Sequence, residues 1–297
     1  MDNIMVRHRT GSLDSTPASH GAVQGRGLET PAPQPARPRR ADWLANGSLR
    51  HYPALVGLFL VLVVWEGIVL VANPLPVILP SPANVAGRLV ALLSTPVVWA
   101  DLGISTGRVL AGFVLGALSG VFIAVVLAMN PFVNRSLRYL LISMRFVIPF
   151  AWVPIAAFWF GLSETGKVFI TWYASFFVIV FQARAGIAAV PDLYVKVAHT
   201  FGLSPRRILW QITLPAAWPS LVVGMRLGLS FSWVAILAAE MVNANSGIGY
   251  FINYSGQFLA TNDVMAGMII IGVLGFCSDQ ALSWLGRRIL PGTLTAI

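Results

Sequence analysis

The chain has 297 residues, of which 57% are hydrophobic and 10% charged, with a formal net charge of +9 and a mean hydropathy of +0.75. Soluble domains carry about 25% charged residues, so this balance excludes an ordinary water-soluble domain and points to an all-α polytopic membrane protein. The single cysteine, Cys277, lies in an apolar run; it reads as a small buried apolar residue and leaves no disulfide framework or metal-ligand cluster.

Residues 1–50 are rich in Ser, Thr, Pro, Gly and Arg, with Pro31, Pro33, Pro35 and Pro38 beside Arg37, Arg39 and Arg40. Such a stretch has too little apolar surface to fold and reads as a disordered basic tail. It lacks the apolar run and small-residue cleavage site of a signal peptide. Next to a first span, its charge sets orientation and touches anionic lipid rather than nucleic acid.

Six apolar blocks follow, each near the ~20 residues a bilayer needs: residues 53–73, 106–129, 139–161, 168–188, 217–242 and 264–286. The first span and an amphipathic piece over 83–93, expected along the outer membrane surface, make up residues 51–104. The remaining spans make a core over 105–288, with a polar loop at 190–215 and a short tail at 289–297. Gly112, Gly116 and Gly120 fall four apart on one face of the second span, a small-residue seam for close helix contact; the helix it meets belongs to this chain or to a second copy. The third span reads RFVIPFAWVPIAAFWF, and Pro149 and Pro154 predict a backbone that breaks or kinks twice. Membranes tolerate freed carbonyls where they face protein or a cavity, which makes Pro149, Trp152 and Pro154 candidate walls of a path.

Five ionisable residues fall at or near membrane depth: Glu66, Arg145, Arg226, Glu240 and Asp279. Each must face the interior, a cavity or a partner charge. Arg145 and Arg226 are near enough to the span ends to snorkel. Glu240, beside Asn243, Asn245 and the bend-forming Gly247 and Gly249, suggests an outer gate or a structural ion pair.

The positive-inside rule orients the chain. The tail arginines, Arg135, Arg138, Arg184, Lys196, Arg206, Arg207, Arg287 and Arg288 fall on one side, against Arg88, Arg108 and Lys167 on the other. Both termini and the 190–215 loop are therefore expected in the cytoplasm. Gly161 to Lys167 has the G-x-x-x-x-G-K spacing of a phosphate loop, but Val168 stands where Ser or Thr must hold Mg²⁺ and no strand precedes it; it reads as a tight outer turn. His8, His20, His51 and His199 have no ligand-like spacing. A secondary transporter would show an internal repeat and charged relay residues, and an enzyme would need a polar constellation. Neither is visible, and a nucleic-acid tether leaves the glycine-seamed spans unexplained.

The stretch KVAHTFGLSPRRILWQITLP at 196–215 is the longest polar interruption, opening after Pro191 and Asp192 with helix-starting chemistry. Ala198, three residues, Gly202, nine residues, then Ile212-x-Leu214-Pro215 resembles the loop by which importer permeases of the ATP-binding cassette (ABC) class dock on their ATPases. The pattern departs at its front, where the family has Glu-Ala-Ala and this chain has Lys196-Val197-Ala198. LPSPANV at 79–85, FWFGLSETGKVF at 158–169, residues 197–233 and AEMVNANSGIGYFI at 239–252 resemble the nitrate/sulfonate/taurine branch. That resemblance implies the six-span type I importer permease fold in a bacterial inner membrane, a second permease copy, two cytoplasmic ATPase subunits and a periplasmic binding protein. ATP and Mg²⁺ would sit on the ATPase, with no cofactor or active site on this chain. It also implies a coupling loop built from Lys196, Val197, Ala198, Gly202, Leu203, Ser204, Pro205, Arg206, Arg207 and Pro215. The substrate is expected to be a small anion, an alkanesulfonate or taurine, with nitrate, bicarbonate and a pyrimidine precursor as alternatives.

Overall fold

A computed structural model describes residues 52–289, apart from the side chains of 52–55 and 243. The tail expectations for 1–50 and the C-terminal residues 290–297 lie outside the described residues. The chain divides into Met1–Leu55 and Val56–Ile297; apart from the start of the first helix, the described residues belong to the second unit.

The described residues are helical throughout, with no strand. Helix α1 runs Tyr52–Ala72. Ser81 caps α2, Pro82–Leu93, by accepting from the Asn84 amide, with Pro82 in the first turn, the favoured start chemistry. The amphipathic piece is therefore a helix, and Val85 and Leu92 are its buried face. Its partner is the last long helix, α11, Thr261–Ile289, and Arg88 pairs with Asp263 across that contact.

Helix α3, Pro96–Met129, starts ten residues before the expected second span. Pro96 opens it and no breaker follows until Asn130, so the polar Asp101 lies inside the helix, where its carboxylate accepts from the Gly247 amide at 2.8 Å. The Asn130 side chain then accepts from the amides of Phe132 and Val133 and starts α4, Pro131–Phe146. The expected third span is broken: a 3₁₀ turn over Pro149–Trp152 leads to α5, Val153–Phe160, and the two halves meet at 89°. The break falls at Val147 and Ile148, before Pro149. Pro154 lies in the first turn of α5, where its missing N–H costs nothing.

Helix α6, Glu164–Ala188, is the central rod, with buried residues on most of its length. It lies between α3 and the long α9, Leu214–Asn243, and the three form the core. A Cβ on Gly112 would stand 2.5 Å from Thr171 Cβ and 2.9 Å from the Trp172 amide nitrogen, and one on Gly120 3.1 Å from Ile179. Gly116 meets Ser175 in the same way. The glycine seam thus faces α6 of this same chain. On α9, Gly224 and Gly228 repeat the arrangement against Gln182 and Ile179.

Helix α7, Asp192–Thr200, precedes a continuous helical rod from Pro205 to Val242. The second half of the expected 190–215 loop is therefore the first part of the fifth span, which starts well before the expected residue 217. Its start, α8, Pro205–Ile208, passes through a π turn at Leu209–Thr213. Pro215 supplies no amide and its ring crowds the carbonyl four residues back, at Gln211; a wider turn relieves both. Helix α10, Ile248–Gln257, packs on α9 and α11.

Among the described residues, four helices are long and apolar enough to cross a membrane, and the bent α4–α5 pair makes a fifth. Val56–Ala72 is a shorter apolar helix. Cys277, expected to be buried, is exposed. It lies on α11, whose outer face also exposes Val273, Phe276 and Trp284.

Candidate functional site

Three features stand at different heights along α6. Its 25 residues span about 37 Å at 1.5 Å per residue, so Glu164 and the 189–204 loop lie at opposite ends.

At the Glu164 end lies a buried ionic cluster. The Arg108 Nη1 donates to Glu240 Oε1 at 2.7 Å and to the Ser246 carbonyl at 2.9 Å. Its Nη2 donates to Glu164 Oε1 at 2.6 Å and to Ser246 Oγ at 3.1 Å. Glu240 is filled from other directions by Ser105 Oγ at 2.8 Å and the Gly249 amide at 2.9 Å. Lys167 Nζ reaches Glu164 at 3.0 Å. Arg108 is 4% exposed and Glu240 1%, whereas the Glu164 side chain is 62% exposed. The Arg108–Glu240 pair is thus the sequestered bond, and Glu164 is its wet rim. A Cβ on Gly247, at φ +107, would strike the Glu240 carboxylate, and one on Gly249 would strike Glu240 Cβ and the Leu237 carbonyl. Glycine is what lets the 244–248 turn close over that charge.

Sequence reasoning picked out Glu240 and its bend glycines but treated Arg108 and Lys167 only as outer-side charges. Their spacing along the chain carries no sign that they meet. Asn245 is exposed, and Glu240 faces the cluster rather than an open cavity. Asn243 ends α9 with its side chain outside the described residues. The other acid–base pair at depth joins Arg226 to Asp279, with Nε–Oδ1 at 2.8 Å and Nη2–Oδ2 at 2.6 Å, a two-pronged bridge between α9 and α11.

Inside the bend of the broken span is a cavity of about 470 Å³, lined by Arg145, Pro149, Tyr173, Phe177, Gln182 and Phe231, among others. The Arg145 guanidinium sits 4.8 Å from the centre of the Phe181 ring. Trp152 is packed with Trp159, Phe169 and Tyr173, and Pro154 is exposed.

At the far end of α6, the loop is built by a glycine. The Leu203 amide donates to Ala198 O at 3.2 Å and the Gly202 amide to His199 O at 2.9 Å, with Gly202 at φ +74. This is the paired closure of a helix C-terminus that needs a left-handed residue. Ser204 and Pro205 then start the next helix. The turn leaves Leu193, Tyr194, Val197 and Phe201 exposed around a shallow concavity of about 500 Å³ that also includes Ala198, Leu203 and Ile212. Ala198 is 3% exposed; Lys196, Arg206 and Arg207 of the same loop are exposed. Among the described residues no three His, Cys, Asp or Glu side chains group to hold a metal ion.

Comparison with known proteins places these features in a family. Residues 102–291 match the family model described as "Binding-protein-dependent transport system inner membrane component". The chain is 29% identical over 258 residues to the taurine transport system permease protein TauC of Escherichia coli strain K12, covering 85% of this chain and 94% of that protein. It is 29% identical over 272 residues to the nitrate import permease protein NrtB of Synechococcus elongatus, covering 86% and 96%. A solved chain of the MetNI methionine ABC transporter, in an inward facing conformation, superposes with a TM-score of 0.53 at 18% identity. That match covers 68% of this chain and 98% of the other, and supports the fold alone.

Proposed function

This chain belongs to the family of binding-protein-dependent transport system inner membrane components, and from that premise we propose that it forms the gated path of an ATP-driven importer for a small anionic solute. Taurine or another alkanesulfonate is the favoured cargo. Nitrate, bicarbonate and a pyrimidine precursor are the alternatives. A periplasmic binding protein delivers the solute, a second copy of the chain completes the path, and two cytoplasmic ATPases hold ATP and Mg²⁺.

The observation that carries the reading is the loop after α6. A short helix with an apolar, exposed outer face, fixed by the Gly202 turn, in a loop that also exposes Lys196, Arg206 and Arg207, is a knob suited to a groove on another protein. On this reading the loop and both termini are cytoplasmic, as the distribution of Lys and Arg favours, and the ionic cluster lies at the outer end. Motion of the ATPases reaches the path through α6 and the rod that begins at Pro205.

The test is reconstitution. The permease, co-expressed with the ATPase and supplied with the binding protein in vesicles, should take up labelled taurine or a related anion only with ATP inside the compartment facing the loop. Uptake driven by an ion gradient without ATP would overturn the proposal. A panel of taurine, ethanesulfonate, nitrate, bicarbonate and a pyrimidine precursor decides the cargo.

A further inference from the structure

Two arginines on the core helices are neutralised by acids. Arg108 meets Glu240, and Arg226 meets Asp279. Arg145, which is exposed, has among the described residues neither a carboxylate nor a hydrogen-bond partner. Its guanidinium lies over the Phe181 ring, at the rim of the 470 Å³ cavity inside the helix break. Gln182, next to Phe181 on α6, lines the same cavity, and its side-chain amide also makes no hydrogen bond among the described residues. Gln182 is held in place from behind, because its Cβ is packed where Gly224 of α9 has no side chain. The remaining wall is largely apolar, with Tyr173, Phe177 and Phe231 among its aromatic members. The Tyr173 hydroxyl donates to Met144 O at 2.6 Å, which occupies it and ties the end of α4 to α6.

An exposed guanidinium without an ion pair, close enough to the span end to snorkel, is free to meet an anion that enters the cavity. A guanidinium has a planar fork of donors that matches a flat oxyanion, and an amide adds one more donor. The cavity has the size of a small-molecule site, and its single charge is positive. We propose that Arg145 and Gln182 form a transient binding site for the oxyanion group of the transported solute, a sulfonate, carboxylate or nitrate, on the loop side of the path. The inference rests on the importer reading and goes further by assigning residues that touch the cargo. The cation–π contact keeps Arg145 positioned between transport events and is weak enough to yield to an anion.

Complexes of permease and ATPase in vesicles, with binding protein and labelled taurine, test it. Arg145→Gln should lower uptake at least about tenfold, as for a lost hydrogen bond to a charged group, while loaded binding protein still stimulates ATP hydrolysis. Gln182→Leu, remote from the end of α4, should lower uptake by a smaller factor, and Arg145→Lys should restore part of the loss. Unchanged uptake in Arg145→Gln and Gln182→Leu, with the unmutated complex active, would overturn the site and leave the importer reading standing. An Arg145→Gln defect seen only in vesicles containing phosphatidylglycerol, and absent in pure phosphatidylcholine, would assign the arginine to lipid and also overturn it. If the unmutated complex carries only a solute without an oxyanion group, the oxyanion reading falls and the site falls with it.

Discussion

Arg108 on α3 and Glu240 on α9 meet at 2.7 Å with both side chains almost wholly buried, 132 residues apart in sequence. Ser105, the Gly249 amide and the Ser246 carbonyl complete their hydrogen bonds. The pair therefore joins two rods of the core and the turn that leads into α10. A buried pair is weak evidence of net stability over an apolar alternative, but losing one partner strands the other charge.

Removing the arginine should be the more damaging change. Arg108→Met leaves Glu240 charged and buried, at a cost of about 3–5 kcal/mol. Glu240→Gln retains the Ser105 and Gly249 contacts and leaves Arg108 on Glu164, so its cost should be about 1.5–3 kcal/mol. Thermal unfolding in detergent measures both. The Arg108→Met/Glu240→Met double variant should be less damaging than the sum of its single changes; strict additivity would mean that the two residues do not share an interaction.

The glycine seam predicts an order of sensitivity. Gly112→Ala would press on the Thr171 Cβ and the Trp172 backbone nitrogen, which cannot swing away, whereas Gly120→Ala asks Ile179 for a few tenths of an ångström. Gly112→Ala should therefore unfold at lower temperature than Gly120→Ala, with an overpacking cost of about 1–3 kcal/mol. Equal melting temperatures would show that α3 and α6 slide apart freely at both positions.

Gly202 tests the loop. At φ +74 a side chain is strained by roughly 1–2 kcal/mol, and in Gly202→Asp a negative charge is added to the edge of the apolar face. The variant should remain folded and inserted but lose both transport and stimulation of the ATPase. Normal co-purification and normal response to loaded binding protein would refute the docking role of the loop.

Lys196 stands where the resemblance implies a glutamate, and it is exposed, with no ion pair among the described residues. Exposed pairs contribute about 0–1 kcal/mol, so a solvated lysine and a lysine that meets an acid on the ATPase make different predictions. Lys196→Glu with unchanged assembly supports the solvated side chain. Assembly lost in Lys196→Glu and restored by an acid-to-base change on the ATPase supports the exchanged pair.

The sequence alone determined that the chain is a helical membrane protein, because apolar runs near bilayer length and a 10% charged composition leave few other ways to satisfy a backbone. It also located the seam glycines, the broken third span and the Gly202 turn, since glycine and proline act through local backbone geometry. The tertiary structure decided what those features meet. The seam faces α6, the break is an 89° bend ahead of Pro149, and the fifth span reaches back to Pro205 through a π turn that makes room for Pro215. It also decided the charges: which acid neutralises Arg108 or Arg226, and that Arg145 is left with only a ring, depends on helices distant in sequence that pack side by side. Local propensity extends over a few residues, whereas the cost of a charge at depth is settled only by what the fold brings within about 3 Å of it.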